Sequence, residues 1–136
     1  MRLLLIIVSF VFLTACSSTK IRRDPATDLN QFQRFYVESR LNDNHSTDAL
    51  IAAELRNRGL EATHGHLTMM PNDIEVLITY DARWTWDFHS YLINLEITAR
   101  NPHTRRLMAT GTSRHVGITK KEPSKMIEAI FNKFLQ

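Results

Sequence analysis

The sequence predicts an α+β fold. We expect a two-layer sandwich: a mostly antiparallel sheet of four or five strands with two helices on one face, in the order β-α-(β)-β-β-β-α. Three patterns carry this expectation. Residues 74–86 alternate apolar and polar, which buries one face of a strand and wets the other. The alternation resumes over residues 91–99. Residues 46–58 and the stretch from Pro123 onward place apolar side chains at helical spacing, with start and stop signals around them.

Taken in order, residues 32–40 (Phe-Gln-Arg-Phe-Tyr-Val-Glu-Ser-Arg) are aromatic and β-branched and read as a first strand. Asn42-Asp43-Asn44-His45 is turn chemistry. In the helix that follows, Ser46 or Thr47 is placed to cap the start and Asp48 suits its positive end. Leu50, Ile51 and Leu55 form the apolar stripe. Gly59 is placed to stop this helix in the left-handed conformation, with Leu60 folding back onto its last turn. Residues 61–68 read as a short edge strand, and Pro71-Asn72-Asp73 as a turn.

The long alternating strand puts Ile74, Val76, Ile78, Tyr80, Ala82, Trp84 and Trp86 on one face, and only Leu77 interrupts the polar set. After a turn near residues 87–89, the next strand directs Ile93, Leu95, Ile97 and Ala99 to the core. Asn101-Pro102-His103-Thr104 is a hairpin turn. With a three-residue loop, Leu107, Ala109, Gly111 and Ser113 share the core face of the return strand. Their mostly small size would let a helix approach closely. Pro123 sits at a first helical position, followed by an apolar stripe of Met126, Ile127, Ile130, Phe131 and Phe134.

The start of the chain has a different chemistry. Met1-Arg2 is basic, and residues 3–13 are almost unbroken Leu, Ile, Val and Phe. That run is shorter than the ~20 residues a membrane-spanning helix needs, so it reads as a secretory signal. It ends in Leu13-Thr14-Ala15-Cys16, which resembles the lipobox of bacterial lipoproteins, with Cys16 the only cysteine in the chain. The resemblance implies a diacylglyceryl group on the Cys16 thiol, cleavage between Ala15 and Cys16, and acylation of the new amine. Several acyl chains hold durably, since each buried methylene contributes ~0.8 kcal/mol. Ser17, where some bacteria use Asp to retain lipoproteins at the inner membrane, fits sorting to the outer membrane. The expected organisation is a signal peptide over 1–15, a lipidated cysteine with a flexible tether over 16–31, and a periplasmic domain over 32–136.

The formal net charge of +3 arises ahead of Asp24, where Arg2, Lys20, Arg22 and Arg23 meet no acidic residue. From Asp24 onward there are thirteen Lys and Arg against fourteen Asp and Glu, which argues against a nucleic-acid partner. The charge is uneven along the chain. Acids exceed bases twelve to five over residues 24–96, and bases exceed acids eight to two over residues 97–136. Either the two parts neutralise each other across one sheet, or Arg105, Arg106, Arg114, Lys120 and Lys121 form an anion-facing patch.

Other candidate sites are few. His64 and His66, two apart on a strand, are weak candidates for sharing a metal ion, with His45 or His89 as further ligands. Trp84 and Trp86 read as either core or an aromatic platform at a hairpin tip, rimmed by Asp81, Arg83, Asp87 and His89. Asp81 and Asp87 are a weak candidate carboxylate pair for glycoside hydrolysis. The sole cysteine is assigned to lipid, and neither a Gly-x-Ser-x-Gly elbow nor a Gly-rich phosphate loop is present.

The mature chain is similar to a family of small bacterial lipoproteins known as domain of unknown function 4136. The similarity lies in Phe32-x-x-Phe35-Tyr36-Val37, in Leu55-x-x-x-Gly59-Leu60, and in Asp73-Ile74-Glu75-Val76 leading to Tyr80. A Trp-containing hairpin, a Pro-x-Thr turn and a final helix complete it. Met108-Ala109-Thr110 stands where members often have tryptophan before the return-strand glycine, and the end is Phe134-Leu135-Gln136 where they tend to have Phe-Pro. The resemblance implies a periplasmic α/β domain and no established activity.

The expectation is therefore a membrane-anchored envelope lipoprotein that is not an enzyme and uses no cofactor. It would reach the membrane through Cys16 and bind an envelope protein or peptidoglycan through Trp84 and Trp86, or through Arg105, Arg106 and Arg114. A metal-dependent or glycan-cleaving enzyme and a lipid or small-ligand carrier are the alternatives.

Overall fold

The computed structural model describes residues 16–87, 89–116 and 121–136. Six strands form one mixed sheet: β1 (Cys16–Arg23), β2 (Arg34–Glu38), β3 (Glu61–Gly65), β4 (Val76–Asp87), β5 (His89–Arg100) and β6 (Leu107–Val116). Their order across the sheet is β1-β6-β5-β4-β2-β3. The helices are α1 (Thr47–Asn57) and α2 (Pro123–Phe134). The expected α+β sandwich is present, with one strand more than expected. Strands β4, β5, β6 and β1 are antiparallel to one another in turn, whereas β2 runs parallel to both β3 and β4.

The extra strand changes the reading of the N-terminal segment. Cys16–Arg23 has the polar composition of a tether, yet it pairs with β6 along its whole length, from Cys16↔Val116 to Arg23↔Ala109. Its Ile21 packs against the core beside Gly111. The residues between β1 and β2 hold a turn and a short 3-10 turn, Leu29–Gln31, with Leu29 in the core.

Both helices pack on one face of the sheet. Val37, Ile51, Leu55, Leu95, Ile127 and Phe131 have no exposed surface and fill the space between the layers. The expected close approach of a helix is present. A Cβ on Gly111 would lie 2.6 Å from Ile130 Cγ2 and 2.8 Å from Phe134 Cε1. Two bulges correct the expected strand faces. One, between Arg83 and Trp84, makes Ile93 the extra residue, so Leu92 is buried and Ile93 only half-buried. The other, between Ala99 and Arg100, pairs Arg100 with Leu107, so Leu107 is exposed and Met108 is buried.

The opposite, open face carries a small second core of Tyr36, Ile74 and Leu77, covered by Leu67 and Met70. That explains why Leu77 breaks the polar alternation of β4. It also moves Ile74 from the helix face to the open face.

Helix α1 stops as the sequence predicts. Gly59 has φ +82°, and Leu60 N–H donates to Leu55 O at 3.1 Å. Its start differs. Ser46 makes no side-chain cap, and Asp43 Oδ2, from the preceding loop, accepts Thr47 N–H at 2.7 Å. Pro123 opens α2 as expected. Among the described residues, no helix is long and apolar enough to cross a membrane.

Candidate functional site

Strand direction brings several elements to one end of the sheet, here called the upper end. The β4–β5 tip lies there, as do the end of β6, the start of β1 at Cys16, the loop after β2 and the start of α1. The turn over residues 101–106 lies at the lower end.

A polar network organises the upper loop. Arg40 Nη1 donates to Tyr80 O at 3.0 Å and lies 3.5 Å from Asp81 Oδ1. Asp43 Oδ2 accepts Tyr80 O–H at 2.7 Å, and Asp43 Oδ1 accepts His45 N–H at 2.8 Å. Burial alone would push the Asp43 carboxyl up. The bonds from Tyr80, His45 and Thr47 outweigh it and hold the group below its ordinary range. The Tyr80 phenol is pushed up, first by burial and then by the Asp43 carboxylate. Asp43 therefore stays charged and Tyr80 stays a neutral donor at physiological pH.

Above this network the His45 ring stacks on Trp84, with centroids 3.6 Å apart and planes 17° from parallel. Trp84 is half-buried against the core, whereas Trp86 is 72% exposed. The two indoles thus part: Trp84 finishes the core and Trp86 stands at the tip. Arg40, Asp43, Tyr80 and Trp84 line a small cleft of about 140 Å³. A larger one of about 580 Å³ adjoins it and shares Arg40 and Tyr80, adding Glu38, Thr79 and His66. A guanidinium, carboxylates and hydroxyls converging beside an indole are groups that hydrogen-bond a polar ligand and stack on its apolar side.

The paired histidines do different things. His64 Nδ1 lies 2.8 Å from Asp48 Oδ2, beside α1. His66 accepts Tyr36 O–H on its backbone carbonyl at 2.7 Å, and the residue lines the larger cleft. Among the described residues, no cluster of three or more His, Cys, Asp and Glu gathers to hold a metal ion. Asp48 also accepts a bond from Ser39, so Ser39, Asp48 and His64 form a chain with the carboxylate in the middle. Nucleophile activation requires the imidazole in that place, between hydroxyl and carboxylate. Burial raises the Asp48 carboxyl, and the bonds from Ser39, the Ala49 N–H and His64 more than reverse this.

The basic residues do not assemble into one patch. Arg105 sits in the lower turn at φ +64°, and Arg106 Nη2 is held 2.7 Å from Asp24 Oδ2. Arg114 is exposed on β6, in the same rung as Asn94 and Arg83 near the upper end. Lys121 Nζ donates to Ser17 Oγ at 3.2 Å. His89 is exposed at the start of β5. Asp81 is an exposed partner of Arg40, and Asp87 ends β4. Ala15 and the rest of the leader, and Lys120, lie outside the described residues. Sequence reasoning misses the loop residues Arg40 and Asp43 as a site and offers His45 only as a further metal ligand. The only signal there is the Asn-Asp-Asn turn itself.

No protein-family model and no curated protein matches this sequence. Solved structures do match its fold. The structure of a PelC dodecamer variant from Paraburkholderia phytofirmans superposes with TM-score 0.61 at 14% identity, over 88% of this chain and 95% of that one. A second PelC dodecamer structure from the same organism gives 0.59 at 12% identity, over 88% and 95% of the two chains. A DUF4136 family protein from Bacteroides thetaiotaomicron gives 0.55 at 10% identity, over 88% and 97%. The resemblance seen in the strand and turn motifs is thus matched in three dimensions: this chain shares its fold with a DUF4136 family protein.

Proposed function

We propose that the chain is the precursor of an envelope lipoprotein. In this reading residues 1–15 are removed, Cys16 carries the acyl groups, and the domain faces the periplasm from the outer membrane as a non-catalytic binding module. The observation that carries the reading is Leu13-Thr14-Ala15-Cys16 directly after a basic start and a short apolar run. The fold likeness to a DUF4136 family protein supports it, because that resemblance implies a lipoprotein.

The contact surface in this reading is the upper cleft formed by Arg40, Asp43, Tyr80 and Trp84, where donors, acceptors and an indole converge. A polar envelope partner, a glycan strand or a protein loop, has the complementary groups. The lower turn is a poorer contact, because Arg106 is already engaged by Asp24.

Mass spectrometry of the purified mature protein, with fractionation of wild type and Cys16→Ser, tests the anchor. Fatty acid on Cys16 and loss of membrane association in the variant are expected. Unchanged fractionation with no fatty acid would sink the proposal. Crosslinking in detergent-solubilised envelopes tests the module. A partner recovered by wild type and lost by Arg40→Ala is expected.

A further inference from the structure

Strand pairing fixes which part of the domain lies nearest an acylated Cys16. Cys16 pairs with Val116 and is the first residue of β1. No slack chain separates it from the sheet, so an acyl group there is attached at the rim of the fold. The rung Arg83–Asn94–Arg114–Ser18 crosses four strands near that rim. Cys16 lies two residues beyond this rung on β1, and Trp86 lies three residues beyond it on β4. The two differ in height by one residue, a rise of about 3.3 Å. An indole that is 72% exposed therefore stands level with the attachment point.

We propose that the β4–β5 hairpin tip is a second membrane contact, with the Trp86 indole seated among the phospholipid headgroups while Cys16 holds the acyl chains. This rests on acylation of Cys16. Indoles partition to that depth because the ring is apolar and its N–H finds acceptors in the headgroup layer. Arg83 and Arg114, exposed in the rung three residues below Trp86, are placed to meet lipid phosphates. Two attachments on different strands do what one cannot. They prevent the domain from turning about the lipid, and the sheet stands upright. The turn over residues 101–106 then faces away from the bilayer. Nine residues of β4 separate Leu77, beside that turn, from Trp86, a rise of ~30 Å.

The experiment uses the acylated mature protein in vesicles of phosphatidylethanolamine and phosphatidylglycerol that contain lipid spin-labelled near the headgroup. Trp84→Phe leaves Trp86 as the only tryptophan, since the chain has two. Its emission is expected to shift to the blue and to be lost largely to the spin-labelled lipid, not to aqueous iodide. A second protein, Trp84→Phe with Trp86→Phe and Thr104→Trp, moves the reporter to the lower turn, where iodide alone should quench. Trp86 open to iodide and untouched by the lipid quencher, in protein whose Cys16 carries fatty acid, overturns this inference and leaves the anchor standing. Equal lipid quenching at both reporters means a domain lying flat, and overturns it as well. Absence of fatty acid on Cys16 removes both readings.

Discussion

The two ends of the sheet are built differently. At the lower end, several side chains close onto the backbone or join elements far apart in sequence. Asn101 Oδ1 accepts the N–H groups of His103 and Thr104. Asn30 Nδ2 reaches the Gln136 carbonyl at 2.7 Å, and Gln33 Nε2 reaches the Gly59 carbonyl at 2.9 Å. Arg58 ties α1 to Asn132 of α2 at 2.7 Å. At the upper end, side chains bond to one another around clefts, and an indole is left facing outward. Polar groups that close turns and join termini hold a fold shut. Polar groups that ring a cleft keep a shape open for something else. On the function proposed above, the lower end closes the domain and the upper end is its working surface.

Mutations can break that division. Phe134→Ala empties a site packed against Gly111 and Phe131, and should cost about 3–5 kcal/mol in urea unfolding. Gly111→Val drives new carbon into Ile130 and Phe134, at a cost of about 1–3 kcal/mol. Asp43→Ala removes the α1 cap and the Tyr80 partner, and should cost about 1–2 kcal/mol while reducing partner binding. Trp86→Ala should change stability by less than about 0.5 kcal/mol. If Trp86→Ala were as costly as Phe134→Ala, the upper tip would be core and the division would fail.

Acid sharpens the comparison. The carboxyls of Asp43 and Asp48 lie below their ordinary value of 3.8 in the folded state. A depressed folded-state value means that stability is fully present above 3.8 and is lost as pH falls through the folded values. Urea midpoints should therefore begin to drop as pH falls to about 4 and keep dropping through the lower folded-state values of these two carboxyls. Asp43→Asn should flatten part of that drop. An unchanged acid profile in this variant would show that the Asp43 network contributes nothing.

Much of the fold is legible because period and punctuation agree in β4, β5, α1 and α2. The errors have identifiable physical causes. Each bulge adds one residue to a strand, and a period-two pattern cannot register an insertion it must also span. The pattern therefore assigns Ile93 and Leu107 to the wrong surroundings. Strand β1 reads as tether because Ser-Ser-Thr-Lys-Ile-Arg-Arg holds one apolar residue, Ile21. An outermost strand that borders only α2 on its covered face needs no more. The upper cleft is invisible for another reason. Arg40 and Tyr80 are forty residues apart in sequence and meet only because β2 and β4 run parallel. Trp84 and Trp86 are visible as a pair, but their different exposure follows from where helix cover ends.

The pairing of β1 with β6 has a mechanical consequence. Tension entering at Cys16 would run along the strand axis and load the eight paired residues of β1 side by side, in shear. Bonds loaded in this way give way together, whereas a peeled edge opens one rung at a time. A domain hauled on by a bound partner would thus resist the pull with its whole outer ladder.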